Sequence, residues 1–210
     1  MTTTPKKINQ LVKDFYPTIS SEEPFYVPIK PERYAKDNDC FLNVEEKVRR
    51  DGGTQVIGWA IWYWEGVLIE AEFHSIWKSP EGEYIDITPN EELMISGKVL
   101  FLPDPKRNYE GLRVDNVRKL LTDNFLMKAA IEVIDAKFAL VSSIQKPHVH
   151  KFLIEGQKSE DYRNFSFYEQ ALQTMFMKGG NKNSPCFCGS GKKIKTCCYK
   201  KITKLCNKYS

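Results

Sequence analysis

The 210-residue chain is 41% apolar, carries 31 Lys plus Arg against 27 Asp plus Glu, and holds 4 Trp, 10 Tyr and 12 Phe. That many aromatics exclude a disordered polymer, and the length suits one compact body of about 150–180 residues with a small appendage. No stretch reaches the roughly 18 uncharged apolar residues of a membrane span. The opening MTTTPKKINQ lacks the apolar centre of a secretory signal, so the sequence reads as soluble and cytoplasmic.

In chain order, Ile8, Leu11, Val12 and Phe15 share a face at helical spacing over 6–16, and Pro17 ends that helix. A short strand is predicted at 25–29. Asp39 reads as the N-cap of a helix from Cys40 to Arg50, with Phe41, Val44 and Val48 inward and a stop at Asp51-Gly52-Gly53. Three strands follow as an antiparallel meander, at 55–64, 67–78 and 83–88, with turns at Glu65-Gly66 and Pro80-Glu81-Gly82. A fourth is predicted at 98–102. Helices are expected from Asp115 to Ile144 with a break at 122–124, and again over 148–157 and 165–178. The fold class is α+β: an antiparallel sheet with flanking helices, plus a small C-terminal module.

Charge divides the chain abruptly. From Lys178 onward there are nine lysines and no acidic residue, which leaves 22 basic and 27 acidic groups in the first 177. Five of the six cysteines also lie beyond that point, four of them within 13 residues. The expected organisation is a body over 1–178, a flexible hinge over 179–183 and a basic tail over 184–210.

Clustered cysteines in a cytoplasmic chain point to metal before disulfides. Zinc favours four tetrahedral ligands, and Cys186, Cys188, Cys197 and Cys198 supply four thiolates, with Gly189 and Gly191 free to take the positive φ of a tight knuckle. A segment this short has no core of its own, so metal binding supplies its folding energy. The run P-C-F-C-G-S-G-K-K-I-K-T-C-C resembles, without a gap, the SEC-C motif, the zinc-binding module at the C-terminal end of the preprotein translocase ATPase. The resemblance covers about 15 residues. It implies Zn²⁺ held by those four cysteines and a docking role toward a protein or ribosomal partner; nucleic acid enters only through the basic tail. Cys206 falls outside the pattern and reads as a spare thiol.

Within the body, Cys40 opens a helix, where the dipole favours a thiolate. His74 lies on one predicted strand and Asp86 on the next, close enough through the tight turn for the carboxylate to meet the imidazole. The three form a nucleophile–base–orienter set. The order Cys, His, Asp and the run F-H-S-I-W-x6-Y-I-D-I-T resemble the papain-like and transglutaminase-like cysteine enzymes, which implies a cysteine-dependent hydrolase or acyltransferase. The surroundings N-D-C-F-L-N depart from that family. Oxyanion donors are therefore sought among the amides of Cys40 and Phe41 and the side chains of Asn38 and Asn43.

Other readings compete. Cys40 also fits a small buried hydrophobe, His74 a structural histidine and Asp86 a turn residue, which leaves a non-catalytic adaptor with a zinc-stabilised docking tail. Glu70, Glu72 and His74 alternate on one strand face and offer a second metal option. His148 and His150 form a further pair, better explained as a solvated helix end. Trp59, Trp62, Trp64 and Trp77 suit the core better than a substrate groove, and a run without interleaved Lys or Arg is unsuited to nucleic acid.

Overall fold

A computed structural model describes residues 2–90, 96–149 and 152–209. Two compact units emerge, Met1–Tyr109 with Val114–Leu121, and Glu110–Arg113 with Thr122–Ser210. The architecture is mixed α and β, with a six-stranded sheet whose strand pairs are antiparallel, as expected from the sequence. Among the described residues, no helix is long and apolar enough to cross a membrane.

In the first unit, α1 (Gln10–Phe15) begins where the Asn9 side chain accepts from the Val12 N–H, and it gives way to a short 3₁₀ turn at Tyr16–Thr18. Strand β1 (Phe25–Pro28) precedes helix α2 (Cys40–Asp51). The long strands β2 (Thr54–Trp64) and β3 (Leu68–Lys78) pair along their whole length, and β4 (Tyr84–Ile85) adds to β3. Strand β5 (Lys98–Pro103) inserts between β1 and β2, giving the order β1-β5-β2-β3-β4.

The helix expected from Asp115 is corrected at its start: Val117–Leu120 is strand β6, which pairs with Leu68–Ala71 of β3. Alternation in V-R-K-L overrides the helical reading, since Val117 joins the apolar face of the sheet while Arg118 meets Glu70 on the other.

The outer strands of the path meet. Just past β4, Asp86 makes an isolated parallel bridge to Ile29, its N–H donating to the Pro28 carbonyl and its own carbonyl accepting from Lys30 N–H. That contact rolls the sheet round on itself. Its inner face packs Val27, Ala60, Trp62, Ile76, Val99 and Phe101 together. Its outer face packs Trp59, Ile61, Ile69, Phe73, Leu100 and Leu102 with Val12 and Phe15 of α1. Trp59 donates to buried Asp104 and Trp62 to Glu72, which places both indoles in structural roles.

The second unit is helical. Asn124 caps α3 (Phe125–Ser142) by accepting from Leu126 N–H. The two helices expected over 148–157 and 165–178 are replaced by one, α4 (Gly156–Met177), because no proline or internal glycine interrupts that segment. Residues 152–155 are not helical, and His150 and Lys151 of that expectation lie outside the described residues. Helix α5 (Cys198–Cys206) completes the unit. Its Ile202 and Leu205 join Leu126, Ala130, Leu140, Phe165, Leu172 and Ile194 in one buried cluster that also takes in Cys186, Cys198 and Cys206.

Chain-end residues are tied to α4 at buried Asp161, whose carboxylate accepts from Tyr209 (2.7 Å), Gln157 (3.1 Å) and Lys208 (3.4 Å). Burial alone would raise its pKa, but the hydrogen bonds and the lysine charge hold it below the usual carboxylate range. A depressed native pKa contributes stability above the unfolded value of about 3.9, and that stability is lost as pH falls through the native value. Tyr209→Phe is expected to cost about 1.5–3 kcal/mol in urea denaturation at pH 7, with the difference from wild type shrinking once the carboxyl protonates.

Candidate active site and metal centre

Sheet closure builds the first site. Cys40 is the first residue of α2, preceded by Asn38 at φ 63°, a left-handed conformation that asparagine tolerates. Asp39 occupies the N-cap position, but its side chain makes no capping bond, so the free N–H groups of the first turn keep their positive end. Cys40 is buried and Asp86 only 1% exposed. His74 Nε2 donates to Asp86 Oδ2 at 2.9 Å, and Asp86 Oδ1 accepts from the Thr88 N–H at 3.0 Å. The His74 side chain is only 12% exposed.

Cys40 lies near enough for its charge to act on the His74 imidazole. Nε2 is held by Asp86, which leaves Nδ1 as the other ring nitrogen. Burial on its own would lower the imidazole pKa, but the charges of Asp86 and Cys40 outweigh it and raise it well above 6.5. Of the three residues singled out in the sequence, His74 and Asp86 are in hydrogen-bond contact, and Cys40 is buried at the start of α2.

Two features around them lack an obvious sequence signal. Strand β3 is flanked by β6 over Leu68–Ala71 and by β4 over Trp77–Lys78. Between these, Glu72–Ile76 have no strand partner on that edge among the described residues, and His74 sits in the gap. Directly across β2 stands Gly58, paired with both His74 and Pro103. A Cβ there would stand 2.2 Å from the Leu102 carbonyl and 2.6 Å from the Phe101 ring. Gly58 thus lets β5 bring Phe101 edge-on to His74, with ring centroids 6.5 Å apart.

Of the oxyanion candidates, Asn43 is already committed: its Nδ2 donates to the Lys36 carbonyl (2.8 Å) and to Thr88 Oγ1 (3.2 Å), and its Oδ1 accepts from Lys36 N–H (3.0 Å). Asn38 is exposed. The second metal option does not assemble. Glu70 accepts from Asn116 and Arg118, Glu72 from Trp62, and His74 is taken by Asp86.

The metal centre lies in the second unit. Pro185 bridges Lys193, and Cys186 N–H donates to Lys192 O, closing a loop whose Gly189 and Gly191 sit at φ 76° and 71°. The short 3₁₀ turn Ile194–Thr196 then delivers Cys197 and Cys198 to the start of α5. The four sulfurs lie within 4.8 Å of one another. A tetrahedral ion with bonds of about 2.3 Å separates its sulfurs by about 3.8 Å, so the donor set fits a metal ion. Among the described residues this is the one such cluster of metal-binding side chains.

Cys186 and Cys198 are buried, whereas Cys188 is exposed. Hydrogen bonding from Ser190, whose hydroxyl lies 3.3 Å from both Cys188 and Cys197, lowers the Cys188 thiol to about 6. Burial and the neighbouring thiols push Cys198 well up. Four thiolates crowded this closely require a cation. Cys206 is buried in the hydrophobic cluster, which pushes its thiol up to about 11.

No family model matches the chain, and neither a curated protein nor a solved structure matches it.

One metal ion per chain is expected by elemental analysis, lost in Cys198→Ser and released as acid protonates the thiolates. For the first site, NMR titration should show the His74 imidazolium persisting well above pH 6.5, and Asp86→Asn should bring that midpoint down. A raised native pKa contributes stability that is complete below about 6.5 and fades as pH rises through the native value, so Asp86→Asn should cost most on the acid side.

Proposed function

We propose that the chain is a cysteine-dependent hydrolase or acyltransferase carrying a zinc-stabilised C-terminal module. The observation that carries the enzyme reading is the buried His74–Asp86 hydrogen bond, with a buried Cys40 opening helix α2 near it. A raised histidine pKa beside a thiol favours a thiolate–imidazolium pair, the resting state that such a nucleophile needs.

Cys40 attacks the substrate carbonyl, forming a carbon–sulfur bond. The backbone N–H groups opening α2 receive the oxyanion. His74 gives its proton to the leaving group as the bond between that group and the acyl carbon breaks, and Asp86 holds the imidazole in register. Water or another nucleophile then gives up a proton to His74 and attacks the thioester, breaking the carbon–sulfur bond, releasing the acyl group and restoring the thiolate–imidazolium pair.

Zinc suits a set of four thiolates, and the resemblance to the SEC-C motif agrees with it. We assign Cys186, Cys188, Cys197 and Cys198 as ligands; bound zinc would draw the loop and α5 together, and Ser190 and the surrounding lysines would offset the site's negative charge.

The tail reading rests on a separate observation. Beside the cysteine loop, Phe167, Ala171, Met175 and Phe187 line a cavity of about 340 Å³ that Lys178 borders, and nine lysines lie from there to the end without an acidic residue. This surface supports docking to a protein or ribosomal partner, in keeping with a cytoplasmic chain. If the body performs no chemistry, that docking remains as the function of an adaptor.

An activated ester separates the two. Intact-mass analysis should find the acyl group on Cys40 and then its turnover, with His74→Ala slowing acylation by about 10²–10⁴-fold. Acylation spread over the other thiols, or unchanged in His74→Ala, would leave the adaptor.

A further inference from the structure

The enzyme reading names three residues on three elements and leaves open what holds α2 in register with the other two. Asn43 stands one turn after Cys40 on the same helix and is 5% exposed. Its amide orientation is fixed by chemistry, because Lys36 N–H is a donor and must meet Oδ1, which leaves both Nδ2 hydrogens for Lys36 O and Thr88 Oγ1. The first two bonds pin the loop that turns the chain into Cys40, closing it from Lys36 across seven residues. The third crosses to the segment after β4. There Thr88 N–H donates to Asp86 Oδ1, while Oδ2 of the same carboxylate receives His74. A continuous path of short contacts thus runs from the nucleophile's helix through Asn43, Thr88 and Asp86 to the imidazole.

We propose that Asn43 is a positioning residue that fixes the nucleophile helix against the His74–Asp86 pair through Thr88. The inference rests on the enzyme reading of Cys40. It asks of Asn43 something more than stability: that the geometry of the sulfur relative to the imidazole depends on it. A residue that merely filled the core would change the melting temperature and leave the reactivity of Cys40 as it was.

The test is the pH profile of Cys40 alkylation by iodoacetamide in the metal-loaded full chain, read on the Cys40 peptide by mass spectrometry so that the other five thiols do not interfere. Wild type is expected to react at acid pH about tenfold or more faster than His74→Ala. Asn43→Ala and Thr88→Val should lose about tenfold of that acid-pH rate, whereas Thr88→Ser, which keeps the hydroxyl, should retain the wild-type profile. A folded Asn43→Ala protein with the wild-type profile overturns the inference and leaves the enzyme reading intact. If Asn43→Ala does not fold, Thr88→Val against Thr88→Ser decides, and equal profiles for that pair overturn it. A wild-type profile identical to that of His74→Ala sinks the enzyme reading, and the inference with it.

Discussion

Asp86 is buried, and a buried carboxylate is tolerable only where every oxygen has a partner. Its side chain meets that demand with His74 on one oxygen and the Thr88 amide on the other, while its backbone stitches the far edge of the sheet to β1. One residue therefore closes the sheet and orients the imidazole at the same time. Displacing the closure would displace the histidine's partner, and removing the histidine would leave a buried acceptor half satisfied. The geometry around Cys40 inherits its precision from this double role.

The two units meet their polar demands differently. In the first, a carboxylate and an imidazole neutralise one another inside a sheet that supplies most of the packing. In the second, four thiols converge at the rim of a helical cluster, two buried and one exposed, and the charge they would carry is balanced only by a cation. Ile194 and Ile202 show that this segment contributes to the core of its unit as well as to the ligand set. Metal binding and helix packing are then coupled energetically, since each holds the backbone that the other requires.

Much of this was legible in the residues. The cysteine spacing located the metal-binding cluster because thiol chemistry tolerates few alternatives, and the β-branched and aromatic runs marked the long strands. The His74–Asp86 contact followed from a tight turn between neighbouring strands. What escaped were features set by tertiary pairing. V-R-K-L became β6 only because the edge of β3 was there to receive it, and nothing in 98–103 announced that β5 would lie between β1 and β2. Gly58 carries no local signal either, since its meaning comes from the carbonyl of Leu102 passing 2.2 Å from where its Cβ would be. Asn43 read as a candidate oxyanion donor; the loop folding back onto it from Lys36 was invisible in one dimension.

The late insertion of β5 has a consequence for the order of folding. As the chain is synthesised, α2 and the β2–β3 hairpin emerge with both faces of the hairpin apolar and β2 still lacking the neighbour that will seal its outer edge. The hairpin is local and can form at once, but the free edge of β2 stays unpaired until residues 98–103 arrive and pair with β1 on one side and β2 on the other. That interval exposes an open strand edge, an arrangement prone to pairing with a second nascent chain. The native topology thus hides, in the interior strand β5, the step at which the molecule is most vulnerable while being made.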